Sequence, residues 1–351
     1  MTDRSAPSPH DKALRSALRA AGHAAADAPL EPLADTGLAH AHVRLAGTGL
    51  LARIPKQSQL GLPAAEHLSY EATCFERAAP SGHVPRLHVV LPPQPGLPRG
   101  ALVVEEIVGR PARLPQDLPA IAATLASLHA LPLPADPAPL RAPVDPLAAL
   151  RDEVLAQTAY LPEARLEDTA ARHIAAELDA LRDLAAAPAR PPRRLIAFDG
   201  HPGNYLVRAD GRAMLVDLEK ARYGPPPLDL AHATLYTSTT WDAASHAVLD
   251  DDDLAAFHGA WLTAQPDAAA HASWIVPLRR AMWLWSVTWC AKWRVLSERP
   301  ASAYAGGEDW SADLSDAALV QHVRERVDHY LSAAIVERVC DESRRLRRRL
   351  P

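Results

Sequence analysis

The stretch LIAFDGHPGNYLVRADGRAMLVDLE, residues 195–219, carries the pattern of chemical groups that decides how this chain is interpreted. Asp199 is followed five residues later by Asn204, and Asp217 ends the second of two short apolar runs. Phosphoryl transfer needs a carboxylate that orients the attacking hydroxyl and accepts its proton, and oxygen ligands that hold Mg²⁺ on the phosphates. A loop with Asp and Asn, joined by a hairpin to another Asp, supplies these groups. The alternative, a surface hairpin with incidental carboxylates, fits the joint spacing less well.

Outward from this stretch, the chain divides into a strand-rich first part and a helical second part. Clusters of proline mark the connectors between the predicted elements. Strands are predicted at 41–45, 50–54, 86–91, 101–108, 205–208 and 213–216, helices at 11–25, 64–78, 119–130, 146–160 and 167–187, and further helices from residue 249 onward. Residues 46–49, with two glycines, predict a hairpin turn. We expect an α+β fold with a small antiparallel-sheet lobe, residues 1–108, and a large helical lobe, residues 109–351.

Residues 199–204 and 216–219 resemble the catalytic core of the aminoglycoside phosphotransferase and choline kinase group, which shares its fold with protein kinases. The family pattern is H-G-D-x-H-x-x-N, followed by a strand that ends in I-D-x-E/D; this chain has D-G-H-P-G-N and V-D-L-E. The resemblance implies a two-lobed protein-kinase-like fold, an ATP- and Mg²⁺-dependent reaction and a small-molecule acceptor with a hydroxyl group. It also implies Asp199 as the catalytic base and Asn204 and Asp217 as the metal ligands.

One departure from the family pattern lies directly before the implied base. Ala197 and Phe198 stand where His-Gly is usual, although His201 is present and is implied to approach the transferred phosphate. Residues 229–231 match a further family motif, whose aspartate is usually structural. Because the missing histidine is generally a scaffold residue, its loss removes no chemical group but weakens the case for full activity. The alternative function is therefore a catalytically impaired kinase-like regulator that binds nucleotide.

The first lobe contains the residues expected to bind ATP. Residues 32–39 occupy the position of the family's nucleotide loop, and Gly37 is the one glycine whose backbone could approach phosphates there. Arg53 lies in the strand that resembles the family's third and is assigned to the α- and β-phosphates. Lys56 is the alternative if the register is shifted. Glu71 is expected to orient the cation; the alternative is a solvated helix glutamate.

Residues 102–111, LVVEEIVGRP, resemble the strand and hinge between the two lobes. In the family, adenine binds to the hinge backbone, which here implies Glu105 and Ile107. A helix motif follows the hinge and contains His129, which we expect to be packed or capping rather than catalytic.

Composition excludes several functional classes. The chain is 48% hydrophobic and 23% charged with a net charge of −5, so neither disorder nor nucleic-acid binding is indicated. Three widely spaced cysteines suggest neither a disulfide framework nor a zinc site. No signal or membrane-spanning segment is visible, and a cytoplasmic location is expected. The chain also lacks a P-loop, a G-x-S-x-G elbow and an H-E-x-x-H helix, and a metal site at His40 and His42 is not expected.

The C-terminal third is rich in groups that could bind an acceptor. It contains all eight tryptophans: Trp241, Trp261, Trp274, Trp283, Trp285, Trp289, Trp293 and Trp310. Residues 241–330 hold 13 acidic and 7 basic side chains, and aromatic rings with carboxylates favour an organic cation. However, Trp285, Trp289 and Trp293 recur every four residues, as in a packed helix stripe. Residues 250–253 read as a helix cap. We favour packing for the stripe, and a cationic acceptor is a secondary expectation.

Overall fold

A computed structural model describes residues 9–34, 37–299 and 315–350 of the chain. The first lobe is built on an antiparallel sheet with the strand order β1-β2-β3-β5-β4. The strands are β1 (Leu30–Pro32), β2 (His40–Leu45), β3 (Leu50–Pro55), β4 (Leu87–Leu91) and β5 (Ala101–Glu105). Helix α1 (Pro9–Ala20) precedes the sheet, and α2 (Ala64–Ala78) connects β3 to β4. The predicted hairpin, antiparallel sheet and helix 64–78 are confirmed.

Strand β5 is buried on both faces, which places the hinge at the end of a rigid element. Ala101 and Val103 belong to the apolar cluster that includes α1, while Leu102 and Val104 pack with α2. This division follows from the pleat, because successive side chains of a strand point to opposite faces. The continuous apolar run of β5 is thereby explained, and the chain leaves the sheet after Glu105 to enter the second lobe.

The second lobe is helical and is organised around one long helix. Its helices are α3 (Leu118–His129), α4 (Pro146–Thr158), α5 (Asp168–Ala186), α6 (Pro227–Thr234), α7 (Tyr236–Thr239), α8 (Asp251–Ala264), α9 (Ala268–Ala272), α10 (Ile275–Leu296), α11 (Ala317–Tyr330) and α12 (Ala333–Leu346). Helix α10 contacts α4, α5, α6, α11 and α12, so it is the centre of the lobe's core. None of the helices in the described ranges is long and apolar enough to cross a bilayer.

Short strands hold the segment that the sequence singled out. They are β6 (Arg110–Pro111), β7 (Arg194–Ile196), β8 (Tyr205–Val207), β9 (Ala213–Leu215) and β10 (Arg222–Gly224), in two small sheets, β6-β8-β9 and β10-β7. The β8–β9 hairpin was predicted and is confirmed. Strands β1, β6, β7 and β10 were not predicted, because two or three residues are too few to show alternation.

Two predicted elements end earlier than expected. The helix predicted at 11–25 ends at Ala20, because Gly22 has a φ of 63° and turns the chain out of the helix. The strand predicted at 101–108 ends at Glu105. The amide of Glu106 still donates to the Gly49 carbonyl at 2.8 Å, and the residues after it cross between the lobes outside any strand.

Removal of one partner of a buried ion pair is expected to destabilise the helical lobe strongly. Arg279 of α10 is fully buried and donates to Glu342 Oε1 at 2.6 Å and to the Thr234 carbonyl at 3.1 Å. Glu342→Ala leaves the guanidinium buried without a counter-ion, so we expect a loss of about 3–5 kcal/mol in unfolding free energy, measured by urea denaturation. The control is Asp341→Ala on the same helix, where the half-exposed carboxylate pairs with Arg344; its effect should stay below about 0.5 kcal/mol. Equal losses would contradict the prediction.

Candidate active site

A cleft of about 720 Å³ between the lobes brings most of the predicted site residues together. Eight of the nine line it: Gly37, Arg53, Glu105, Ile107, Asp199, His201, Asn204 and Asp217. The ninth, Glu71, lies behind Arg53 and is not exposed at all. Residues from both lobes therefore converge on one space, as a two-substrate reaction requires.

The loop between β7 and β8 is fixed by one buried carboxylate. Asp229 of α6 accepts hydrogen bonds from the backbone amides of Ala197 and Phe198, both at 2.7 Å. Because these amides directly precede Asp199, the carboxylate determines where the side chain of the predicted base starts. This geometry agrees with the structural role that the resemblance implied for Asp229.

Asp229 is held in turn by a chain of two side chains. His129 Nε2 lies 3.0 Å from Asp229 Oδ2, and the indole N–H of Trp261 donates to His129 Nδ1 at 3.0 Å. Because Nδ1 accepts, the proton of the neutral imidazole resides on Nε2 and is donated to Asp229. His129 is thus a buried packing residue, as expected.

Phe198 adopts a backbone conformation that is rare for a residue with a large side chain. Its φ is 62°, in the left-handed region, at the position where the family pattern has glycine. Its buried ring contacts the guanidinium of Arg222, whose central carbon is 3.6 Å from the ring centroid, and lies edge-on to Trp285 at 5.1 Å. The Phe198 amide donates to Asp229, and its carbonyl accepts from His232 at 3.1 Å. Packing and hydrogen bonds together hold the conformation that glycine would adopt without strain.

The carboxylate of Asp199 forms a short ion pair with Lys220, a residue that sequence reasoning missed. Lys220 Nζ lies 2.5 Å from Oδ2, and His232 Nδ1 lies 3.6 Å from Oδ1. Burial alone would raise the pKa of Asp199, but the ammonium of Lys220, together with nearby imidazoles, outweighs it and holds that pKa below its usual range. Asp199 is therefore ionised at neutral pH. Burial lowers the pKa of His232 to about 4, so this ring is neutral there.

Asn204 and Asp217 present oxygen atoms that fit Mg²⁺. The amide nitrogen of Asn204 donates to the Asp199 carbonyl at 2.7 Å, which leaves its side-chain oxygen as a ligand. Asp217 accepts at Oδ1 from Arg53 (2.8 Å) and from the Glu219 amide (3.4 Å), and no described residue donates to Oδ2. Mg²⁺ commonly takes one or two protein ligands and completes its shell with phosphates and water. The described residues hold no cluster of three or more His, Cys, Asp or Glu side chains that would form an all-protein cage.

Arg53 connects the two lobes through buried ion pairs. Its Nη2 lies 2.8 Å from Asp217 Oδ1 and 3.4 Å from Glu71 Oε1, and only 4% of Arg53 is exposed. Glu71 also contacts His40 Nε2 at 2.8 Å, so the interpretation of Glu71 as a solvated glutamate is wrong. Burial alone would raise the pKa of Glu71, but His40 and Arg53 outweigh it and lower that pKa. Sequence reasoning missed His40, which is an ion-pair partner here.

The nucleotide loop and the hinge contribute backbone groups to the cleft. The carbonyl of Gly37 accepts a hydrogen bond from Lys56 Nζ at 2.8 Å. Lys56 was the alternative to Arg53 as the phosphate-binding cation. It contacts the nucleotide loop, whereas Arg53 forms the ion pair with Asp217. Residues 35 and 36 of the predicted loop lie outside the described residues. At the hinge, no described residue accepts a hydrogen bond from the amide of Ile107. A free donor at this point suits the edge of an adenine ring.

Aromatic rings line the cleft beyond the loop between β7 and β8, which is the predicted catalytic loop because it carries the predicted base. The Trp241 ring centroid lies 5.9 Å from that of Trp289 and 6.2 Å from that of Tyr330. Trp289 lines the cleft, whereas Trp293, one turn later in the predicted stripe, is 3% exposed and belongs to the core. The packing interpretation therefore holds for part of the stripe only. Trp310 lies outside the described residues.

Polar groups accompany these rings. The hydroxyls of Thr237 and Ser238 are buried without a hydrogen-bond partner among the described residues, and both residues line the cleft. Asp242 lies against the catalytic loop: a Cβ on Gly203 would be 2.8 Å from its Oδ2, so a larger residue at position 203 would force a neighbouring side chain to shift. The acidic run 250–253 caps α8 through Asp250, as predicted, and is not part of the cleft lining.

Comparison with protein-family models matches residues 36–267 to the phosphotransferase enzyme family. The chain belongs to this family. The prediction of a phosphotransferase is thereby confirmed at the level of the family. No curated protein sequence matches the chain significantly.

Solved structures of this phosphotransferase's fold confirm the two-lobed kinase-like architecture. A choline/ethanolamine kinase family protein from Mesorhizobium loti is 19% identical, with a TM-score of 0.57 over 91% of this chain and 99% of that one. A choline kinase from Streptococcus pneumoniae is 13% identical, with a TM-score of 0.54 over 92% and 100%. A thermostable mutant of an aminoglycoside phosphotransferase, in a ternary complex with ADP and hygromycin B, is 16% identical, with a TM-score of 0.56 over 93% of this chain and 97% of that one. At these identities the likeness concerns the fold.

Phe198→Gly is expected to destabilise this phosphotransferase although it relieves backbone strain. A left-handed non-glycine residue costs about 1–2 kcal/mol, whereas truncation of a buried aromatic ring costs about 3–5 kcal/mol. Lost packing on Arg222 and Trp285 therefore outweighs the relief, and the free energy of unfolding should fall by about 2 kcal/mol.

The matched control is Arg165→Gly. Arg165 is the other non-glycine residue with positive φ in the described part of the chain, at 53°, and its side chain is exposed. Strain is relieved there without loss of packing, so stability should be unchanged or slightly higher. A Phe198→Gly variant as stable as the unmodified chain in urea denaturation would show that the ring contributes little.

Proposed function

We propose that this enzyme transfers the γ-phosphoryl group of ATP to a hydroxyl of a small molecule in a Mg²⁺-dependent reaction. The observation that carries the proposal is the convergence of Asp199, Asn204, Asp217 and Arg53 on one cleft between the lobes. Phosphoryl transfer relies on positioning and charge stabilisation, and these groups supply a proton acceptor, metal-binding oxygens and a phosphate-binding cation.

Arg53 and the hinge are proposed to place the nucleotide. The guanidinium of Arg53 is fixed by Asp217, Glu71 and the Val216 carbonyl, which accepts from Nη1 at 3.1 Å. A planar fork held in this way suits the α- and β-phosphates. Mg²⁺, when bound, would neutralise charge that develops on the phosphates, and the oxygens of Asn204 and Asp217 would hold it.

Asp199 is proposed to orient the acceptor hydroxyl and take its proton. Its carboxylate is ionised at neutral pH because Lys220 keeps its pKa low. A carboxylate with a low pKa is a weak base, so its main contribution is orientation, and the proton is accepted as the new oxygen–phosphorus bond forms. This order suits a loose transition state, in which little charge develops on the attacking oxygen.

The acceptor end of the cleft favours an organic cation. Trp241 and Trp289 present ring faces and edges, and Asp242 adds a carboxylate next to the catalytic loop. A cation between such groups gains both charge pairing and cation–π attraction. Amino alcohols and aminoglycosides are therefore the first classes to test, since both carry hydroxyl groups on a cationic body.

One observation favours the alternative of a nucleotide-binding regulator. Each of the two carboxylates contacts a cation of the chain itself: Asp199 contacts Lys220, and Asp217 contacts Arg53. If these cations also keep the acceptor hydroxyl and Mg²⁺ away from the carboxylates when ATP is bound, the protein would bind nucleotide without turnover.

The test is Mg²⁺-dependent ATP consumption with a panel of amino alcohols, aminoglycosides, thiamine-like cations and neutral sugars. Turnover stimulated by one class would support the proposal and name the acceptor. Tight ATP binding without turnover on any acceptor would favour the regulator. Absence of ATP binding would contradict both.

Asp199→Asn should lower kcat by about 10²–10⁴-fold, the usual contribution of a positioned proton acceptor, because the amide cannot accept the hydroxyl proton. The KM for ATP should change little. Asp210→Asn is the control, since Asp210 lies exposed in the turn between β8 and β9. Unchanged turnover of the Asp199 variant in the coupled assay would remove Asp199 from the role of base.

Asp217→Asn should raise the Mg²⁺ concentration for half-maximal rate by at least about tenfold, since the loss of a mere outer-shell partner already weakens metal sites by 10–100-fold. The measurement is a Mg²⁺ titration of initial rate at saturating ATP, with Asp210→Asn again as control. An unaltered titration curve would argue against Asp217 as a ligand.

A further inference from the structure

Lys220 stands out because its ammonium is buried at the reaction centre and belongs to none of the family motifs recognised in the sequence. Lys220 lines the cleft, is 7% exposed, and its Nζ lies 2.5 Å from Asp199 Oδ2. Its Nζ also lies 5.8 Å from the ring centroid of Trp285, which forms one wall of its environment. Removing an ammonium from water is costly, so a buried lysine needs a strong compensating partner or a function.

The chemical identity of this cation is informative. The chain has 33 arginines and only four lysines, and yet the cation on Asp199 is a lysine. An arginine would bind the carboxylate with its planar fork through two parallel bonds, which would occupy both carboxylate oxygens. The ammonium of Lys220 is compact, carries three donors, and bonds Asp199 through Oδ2. Donors remain for a second anion in the cleft.

The segment that carries Lys220 is tied to the loop that carries Asp199. The next residue but one, Arg222, pairs with Ile196 across the β10–β7 ladder, and its guanidinium packs on the ring of Phe198. Glu153 accepts from Arg222 at 2.6 Å. The ammonium and the carboxylate are therefore positioned by one connected unit, which fixes both against the same point of the cleft.

Two other cations among the described residues line the cleft, and each has partners other than the predicted base. Among the lysines and arginines that the structure describes, Arg44, Arg53 and Lys220 line the cleft. Arg44 donates to Glu106 at 2.6 Å, and Arg53 is held by Asp217 and Glu71. Lys220 is thus the one among these three that lies beside the predicted base.

We propose that Lys220 is a catalytic residue that contacts the phosphoryl group during its transfer. The inference rests on the proposed function. When ATP and acceptor fill the cleft, the ammonium bridges Asp199 and an oxygen of the transferred group, so it stabilises negative charge on the phosphoryl oxygens. The bond between phosphorus and the β–γ bridging oxygen breaks to leave ADP, and the acceptor oxygen bonds to phosphorus. The hydroxyl proton goes to Asp199, and Lys220 remains protonated throughout.

The competing interpretation is a purely structural counter-ion, which neutralises Asp199 and has no contact with phosphate. The two roles differ in what they predict for a variant without the charge. If Lys220 is only a structural counter-ion, removal of its charge lowers stability. The ratio of the affinity for a transition-state mimic to the affinity for ADP then stays the same as in the unmodified enzyme. A catalytic cation affects the mimic and kcat selectively.

The experiment compares Lys220→Met, Lys220→Arg and the control Lys12→Met, in which the exposed lysine of α1 receives the same change. Lys220→Met should lower kcat by about 10²–10³-fold, the effect of removing one transition-state donor. The KM for ATP should change less than about threefold. Lys220→Arg should restore part of the rate because it keeps the charge.

Binding measurements provide a readout that a structural role would not move. Affinity for ADP–aluminium fluoride with Mg²⁺ should fall in Lys220→Met, while affinity for ADP alone is retained. An active unmodified enzyme together with a Lys220→Met variant of equal or higher kcat would overturn the role of the lysine only. An unmodified enzyme that binds ATP but phosphorylates no acceptor would overturn the proposed function and this role with it. Thermal unfolding of each variant identifies a loss that is due to misfolding.

Discussion

The hydrogen bonds from two successive backbone amides to the Asp229 carboxylate are the constraint on which the active site depends. They fix the backbone of Ala197 and Phe198, and through it the starting point of Asp199. Because Asp229 is on α6, which packs against the central helix α10, the position of the catalytic loop is set by the core of the helical lobe. The usual His-Gly of the motif is absent, and the loop is held by residues that are distant in sequence, with His232 on the Phe198 carbonyl.

Charged side chains from the two lobes form ion pairs with each other in the cleft. Arg53 from the first lobe and Asp217 from the second are 164 residues apart and form a contact of 2.8 Å. Burial and the neighbouring charge of Asp217 raise the pKa of Glu219. Burial alone would lower the pKa of His40, but the carboxylate of Glu71 outweighs it and raises that pKa. Groups suited to phosphate and metal thus neutralise one another in the protein itself, and a bound nucleotide would exchange these contacts for its own.

The sequence predicted those parts of the molecule that depend on local pattern. Helix 64–78 and the β8–β9 hairpin were correct because periodicity and turn residues act over a few positions. The convergence of Asp199, Asn204 and Asp217 on one cleft was predictable because their spacing along the chain reflects one loop and one hairpin, while their roles stay predictions. The sequence did not predict the ion pairs of Lys220 with Asp199 and of His40 with Glu71, because these partners are brought together only by the fold. The acceptor end of the cleft was the least predictable part. The tryptophans of α10 lie partly in the core and partly in the cleft, and this depends on how the helix is oriented in the fold. A local sequence pattern does not specify that orientation.

The packing of Phe198 also constrains how this enzyme can change. The ring touches Arg222 on one side and Trp285 on another, and Trp285 lines the cleft in which an acceptor would bind. Residues in such contact have non-additive effects on stability. Substitutions at positions 198, 222 and 285 are therefore expected to have coupled effects on stability, and a new acceptor preference obtained through Trp285 would call for compensating substitutions at the catalytic loop. A search for altered specificity that samples these three positions together would reach sequences that single substitutions do not.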